Sequence, residues 1–497
     1  MTPQTFTLDH SLNAAALAAV AHGAPLSLGD AARARIAAAH GLVRAVVARG
    51  VPAYGVNTGV GLLFDRAVEP ALHRRLSRQL IMSHACGVGN ALPEPEVRAI
   101  IAAQANNHAH GHSGVRVAVV EAMLALLAHR IVPEVPVGGS VGYLTHMAHI
   151  VLVLIGEGQA RIGDERMTGA QALARCGLEP LVLDAKEGLS LLNGAPCATG
   201  LGAVALDRAR RAVVAADGIA AFSFECLGGN PAAFAPDVLA LRRSPGVAQT
   251  TVALNAWLAG SAHLAGPARL QDPLSLRSVP QVHGGVRDAL AYVEGMVDDE
   301  LASVTDNPLM MGTPENPRAA SAAQAIAAGL AIALDTLGVA VAHLSMMSER
   351  RTDRLTNPLV SGLPAFLAAE AGVSTGFMIA QYTAAALVNE NRRLAAPASL
   401  DGGITSGLQE DYLSHPTAAA VKALAIVANV EAVLGIELVA AAQGHDLGVP
   451  AEARAPATAR LHAHVRAVIA VYADDRPMNA VMDAGAGLVL AGLPSPD

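Results

Sequence analysis

Aromatic side chains make up only 3% of these 497 residues, charged side chains only 15%, and there is a single tryptophan. The apolar share, 52%, is largely alanine, leucine and valine, which favours closely packed helices over a β-sandwich. So little charge leaves few residues to cover a monomer, so extensive burial between subunits is expected. Only four cysteines occur (Cys86, Cys176, Cys197, Cys226), widely spaced, which excludes a disulfide framework and a zinc-ligand pattern. Basic excess is missing too: the net charge is −8 and the pI near 6.1, against the basic stripe that a nucleic-acid partner requires. MTPQTFTLDHS lacks the basic and apolar regions of a secretory signal. The longest apolar stretch, Ala320–Met347, is interrupted by Asp335 and His343, so no bilayer span is expected and a cytoplasmic location is.

What is present is helical periodicity. Length alone allows about two to four domains. The pattern predicts a loop-rich, mixed part over 1–200 and a helical bundle with C-terminal helices over 201–497. In the first part, helices are expected through Ala85, over Pro93–Asn107 and over Val115–His129, with a small strand-bearing excursion at Gln159–Asp184. Beyond it, alanine-rich runs cover Gly200–Ala265, Val279–Val304, Ala319–Arg354 and Thr375–Leu394, with more helix in Thr417–Ala442 and Ala457–Ala470. Helices this apolar on most sides belong in a bundle or an oligomer core.

Chemistry-bearing residues are scattered along this frame. Tyr54 lies in the glycine loop YGVNTGVG and serves as a general base only if its pKa is lowered. His84 precedes the turn ACGVG. His108, His110 and His112 alternate in NNHAHGHSG, a metal-like cluster without HExxH spacing, and no metal is assigned. LLNGAP offers Asn193, QDPLSLR offers Gln271 and Arg277, and SVTDNP offers Asp306 and Asn307. An arginine fork matches a substrate carboxylate. Glu410, in TSGLQEDYLS, gains a raised pKa if buried. The turn VGGSVGYLTHMAH, 137–149, crowds Tyr143, Thr145, His146 and His149 behind two glycines and a serine.

Taken in order, YGVNTGVG, MSHACGVG, HSGVR, VGGSVG with MAHIVLVLIGEG, EGLSLLNG, QDPLSLRSVPQVHG, SVTDNP, SERR, SGLPAFL, TGFMIAQYTAAAL and TSGLQEDYLS resemble the histidine ammonia-lyase family from about Tyr54 to Ser414. The resemblance implies an all-α fold with a long central helical bundle, and a homotetramer whose active sites draw residues from three chains. It implies that Tyr54 removes the β-proton and that Glu410 contacts the substrate ring as a catalytic group. His84 would bind an imidazole rather than a phenyl ring, Asn193 and Arg277 the carboxylate, and Gln271 would line the same site.

Departures from the family pattern shape the functional expectation. The family follows GSVG with Ala-Ser-Gly, which cyclises to an electrophilic methylidene-imidazolone, and then Asp-Leu. Here Gly142 is followed at once by Tyr143 and Leu144, His146 replaces a proline, and Leu274 replaces a tyrosine. Without that electrophile the leaving group must be activated in the substrate. A quaternary ammonium meets that need, so the expectation is an ergothionase-like enzyme releasing trimethylamine from ergothioneine, a histidine betaine, with no cofactor. Tyr143 would then offer its ring face to the trimethylammonium. The alternatives are a methylidene-imidazolone-dependent histidine ammonia-lyase, a metal-dependent hydrolase using His108 and His112, and an inactive scaffold.

Overall fold

Alanine and leucine, the strongest helix formers, dominate four long helices: Pro196–Cys226, Val279–Ala302, Ala328–Thr356 and Pro416–Gly448. Two of these open on proline, whose missing N–H costs nothing at a first helical position. The computed structural model describes residues 4–266, 269–370, 372–400 and 402–496. Met1–Pro3, which begin the stretch expected to carry no secretory signal, lie outside the described residues.

The chain is all-α in character, with four small sheets among the described residues. Strands Gln159–Ile162 and Glu165–Thr168 form the expected excursion, with Val132–Pro133 added as a third strand. Val88–Ala91 pairs antiparallel with Pro136–Gly138, tying together the two loops that follow His84 and precede Tyr143. One hairpin, Leu309–Thr313 with Asn316–Ala320, was not expected from the sequence. The helix expected over 200–265 is also divided. It stops at Cys226 before Gly228 and Gly229, and later pieces restart at Pro231, Pro236 and Pro245.

Two compact units emerge. The first comprises 1–207, 293–335 and 397–421, and the second 208–292, 336–396 and 422–497. In the second unit, Gly435 and Gly485 let the Pro416–Gly448 and Asn479–Ala491 helices meet backbone to backbone. A Cβ on Gly435 would stand 2.4 Å from the nitrogen of Ala486. Arg351 and Glu437, both wholly buried, pair through Nε–Oε1 at 2.5 Å and Nη2–Oε2 at 2.8 Å, and Ser223 Oγ donates to the same carboxylate at 2.6 Å. Asp217 is likewise buried between His283 and Arg287.

The expectation about spanning segments needs correction. By length and composition, three helical stretches are long and apolar enough to cross a membrane: Glu187–Cys226, Ala328–Thr356 and Pro416–Gly448. Their most apolar windows are 100%, 61% and 78% buried within the chain, as core helices of a bundle are. Asp335 and His343 are too few among so many apolar neighbours to set the second of these apart from the other two.

Candidate active site

The Tyr54 loop is anchored from both sides of the tyrosine. Ala53 and Val56 are buried with Leu42, Val43, Val46 and Met310. Asn57 Oδ1 accepts from the Ala53 nitrogen at 2.8 Å, and Thr58 Oγ1 accepts from the Gly55 nitrogen at 3.2 Å. Gly55 sits at φ +61°, and a Cβ there would strike Leu189 at 2.2 Å, so only glycine serves. The half-buried phenol of Tyr54 then accepts a hydrogen bond from the Gly61 nitrogen at 3.0 Å.

Tyr143 is held by the glycine turn before it. Ser140 Oγ accepts from the Gly142 nitrogen at 3.2 Å and donates to the Tyr143 carbonyl at 3.1 Å. Thr417 Oγ1 donates to the Gly142 carbonyl at 3.0 Å. Leu144 follows at φ 74°, ψ −72°, and the Thr145 nitrogen donates back to the Tyr143 carbonyl at 3.1 Å. These dihedrals and this bond make a γ-turn, the strained form, costing about 1–3 kcal/mol. It joins the glycine turn to the Thr145–Leu154 helix in the fewest residues.

The buried Tyr143 hydroxyl donates to Glu410 Oε2 at 2.9 Å. Glu410 ends a tight excursion in which Ser406, Gly407 and Leu408 all have positive φ. Its backbone pairs with Thr405, the Thr405 nitrogen donating to the Glu410 carbonyl at 2.9 Å. This excursion lies against the Tyr54 loop, since a Cβ on Gly407 would stand 3.1 Å from Leu62. Tyr54, Tyr143 and Glu410 thus form one cluster.

Electrostatics of the cluster favour neutral phenols. Burial pushes the Tyr54 pKa up, the Gly61 N–H opposes this, and the Glu410 charge adds to the rise. Tyr143 is raised far more, by burial first and then by Glu410 as both a neighbouring charge and a hydrogen-bond partner. The lowered pKa that would make Tyr54 a ready base is therefore not a property of the resting chain.

Asn193 is tied to the same place. The Leu144 nitrogen donates to the carbonyl of Leu192 at 3.0 Å, and Asn193 follows as the C-cap of the Glu187–Leu192 helix. His84 ends the His73–His84 helix with Nδ1 bonded to the Leu80 carbonyl at 2.7 Å, leaving Nε2 as the outward acceptor. Three residues on, the Gly87 nitrogen donates to His149 Nε2 at 3.0 Å. Gln271 and Arg277 belong to the second unit; Gln271 is exposed, and Arg277 Nε donates to the Asp272 carbonyl at 2.8 Å.

The histidine cluster does not converge. His108 is fully buried beside Gln104, and burial lowers its pKa to about 4. His110 bonds the Leu301 carbonyl at 3.0 Å, and His112 the Met310 carbonyl at 3.3 Å. Among the described residues no group of three or more His, Cys, Asp and Glu could hold a metal ion.

Sequence reasoning missed the polar groups behind the site. Lys186, in DAKEG, is 1% exposed and pairs with the wholly buried Asp306 at 3.0 Å. Arg116 of HSGVR grips Glu187 of EGLSLLNG with two bonds of 2.7 Å, so two motifs far apart in the chain meet in one ion pair.

Residues 12–467 match the aromatic amino acid lyase family. The chain belongs to that family. This lyase is 42% identical to a histidine ammonia-lyase of an Anaeromyxobacter strain over 98% of the chain and 99% of the relative. Its fold is similar to the histidine ammonia-lyase of Trypanosoma cruzi (TM-score 0.90, 35% identity, covering 98% and 94% of the two chains). It is also similar to ergothionase of Treponema denticola (TM-score 0.91, 28% identity, 98% and 99%). The family makes it a carbon–nitrogen lyase acting on a small molecule.

These relatives correct two expectations. Further bacterial relatives at 39–44% identity share the name histidine ammonia-lyase, which overturns trimethylamine release from ergothioneine as the activity. That reading weighed one local deletion above likeness along the whole chain. The expectation of no cofactor falls with it, because the resemblance ties the deaminating activity to methylidene-imidazolone. The residues present do not fit that group's formation at the family's position, however. Gly142 joins Tyr143 directly, and the strained turn at Leu144 leaves no Ala-Ser-Gly to cyclise. No step is routed through the group below.

Proposed function

We propose that this lyase deaminates histidine, giving urocanate and ammonia. The observation that carries the proposal is the cluster of Tyr54, Tyr143 and Glu410, in a chain with many relatives that carry the histidine ammonia-lyase name. In this reading His84 Nε2 and the Glu410 carboxylate take the two nitrogens of the imidazole ring. Glu410 is held for that task by the Tyr143 hydroxyl.

The reaction breaks one Cβ–H bond and the Cα–N bond and forms the Cα–Cβ double bond. Tyr54 is the group assigned to the β-proton. It rests as a neutral phenol; passing that proton to the substrate's free amine gives an ammonium that can leave as ammonia, and the phenolate, stabilised by the Gly61 N–H, then takes the β-proton and returns to the phenol. Asn193 offers its amide to the substrate carboxylate. Arg277 is assigned to that carboxylate, and Gln271 to the lining, on the family's pattern of sites built from several chains. Tyr143 serves through Glu410 and not as a cation–π face for a trimethylammonium.

The same reading takes the enzyme to be a cytoplasmic homotetramer. Ile332, Val339 and Met346 support the assembly: they are exposed at seven-residue intervals along one face of the Ala328–Thr356 helix. Light scattering coupled to size exclusion reads the subunit number. Activity is tested by incubating the protein separately with histidine and with ergothioneine while following ammonia, trimethylamine and urocanate absorbance. Ammonia and urocanate from histidine are expected; trimethylamine from ergothioneine without ammonia from histidine would overturn the proposal.

A further inference from the structure

We propose that Lys186 and Asp306 are positioning residues for the carboxylate of the substrate, acting through Asn193. The inference rests on the proposed carboxylate role of Asn193 and concerns what aims its amide. The short Glu187–Leu192 helix is bracketed at both ends by one dipeptide, Asp306-Asn307. At the N-terminal end the cap residue Lys186 gives Nζ to Asp306 Oδ2 at 3.0 Å and to Ser190 Oγ at 2.7 Å. At the C-terminal end the cap residue Asn193 gives Nδ2 to the Asn307 carbonyl at 2.7 Å.

The links between these ends are short and fully assigned. Asp306 Oδ1 accepts from the Asn307 nitrogen at 2.7 Å, and Asn307 Oδ1 accepts from the Ala322 nitrogen at 2.9 Å. Ser190 Oγ donates its proton to the Ser113 carbonyl at 2.9 Å. Asn193 Oδ1 accepts from the Gly194 nitrogen at 3.0 Å, which fixes which way the amide faces. An amide nitrogen carries two protons. One is committed to Asn307, so the direction of the other is set by the Asn307 carbonyl, and that carbonyl by the Lys186–Asp306 pair.

Lys186 also adopts φ +68°, a conformation lysine rarely takes, at the residue that makes the clamp. An ion pair kept merely for stability needs no such link to a ligand-facing amide. Charged groups this deep contribute little net stability over an apolar pair, which also favours a positioning role.

The test uses the full-length enzyme with Lys186→Met and Asp306→Asn combined, which removes both charges and leaves neither unpaired. Two ligands are titrated by calorimetry: trans-urocanate, which bears the carboxylate, and 4-methylimidazole, which has the ring alone. Urocanate is expected to bind about tenfold more weakly to the double variant while 4-methylimidazole is unchanged. The KM for histidine should rise by a similar factor with kcat nearly constant. In an Asn193→Ala background the double change should add nothing.

Equal weakening of both ligands, or unchanged urocanate binding, overturns the inference and leaves an ordinary structural pair. Asn193→Ala alone tests the underlying assignment: if it leaves urocanate affinity untouched, Asn193 does not hold the carboxylate. Where the double variant fails to fold, Ser190→Ala removes one partner of Lys186 without baring a charge. Weaker urocanate binding with 4-methylimidazole unchanged then supports the positioning role, and any other outcome overturns it.

Discussion

Two carboxylates, one in each unit, are handled in opposite ways. In the second, Arg351 and Glu437 are wholly buried and bonded to each other twice, with Ser223 filling a further lone pair. In the first, Glu410 is half-buried on a loop and is held by the hydroxyl of Tyr143, itself beside the phenol of Tyr54. One arrangement uses up its hydrogen-bonding capacity inside the fold, and the other keeps capacity for a ligand. Glu437 on its helix is structural, and Glu410 on its loop is where chemistry is to be sought.

The contrast breaks most sharply at Tyr54. Tyr54→Phe should lower kcat by about 10²–10⁴-fold while leaving the melting temperature near that of the parent. A modest loss of kcat would remove Tyr54 from the proton transfer. Arg351→Met should do the reverse, costing about 3–5 kcal/mol in denaturant unfolding by leaving Glu437 buried and unpaired. Its surviving folded fraction should turn over normally. Were turnover lost with stability intact, the division between Glu437 and Glu410 would fail.

Smaller effects sharpen the comparison. Tyr143→Phe deletes the bond to Glu410 and should raise the KM for histidine by about three- to tenfold, with little change in the urea midpoint. The smallest effect concerns acid. Burial lowers the pKa values of His108 and His146 to about 4, below the ordinary 6.5. As pH falls from 6.5 towards 4, the unfolded chain takes up these protons and the fold does not, so stability declines across that window. Replacing either histidine with glutamine should remove one proton from the slope of unfolding free energy against pH. An unchanged slope would show that the imidazole is already protonated in the fold.

Much of the bundle was legible because alanine and leucine at helical spacing leave few other options, and the Gln159–Asp184 excursion carried its own turn signals. The glycines and prolines between Gly228 and Pro245 were just as visible, but composition averaged over that stretch concealed where the helix stops. Lys186 was not legible, since a lysine between alanine and glutamate reads as surface and its partner Asp306 lies 120 positions away. The Tyr143–Glu410 bond spans 267 positions and could be suspected only through the family resemblance. The activity was misread at one point. Missing residues after Gly142 were turned directly into substrate chemistry, whereas the whole-chain relatives carry the deaminating name.

The kinked backbone at Leu144 has a mechanical corollary. With its main chain drawn tight between the glycine turn and a helix, Tyr143 can move only if the 145–154 segment travels with it, so its ring is a fixed post. The excursion at 406–408, with three successive left-handed residues, meets that post through the Glu410 carboxylate.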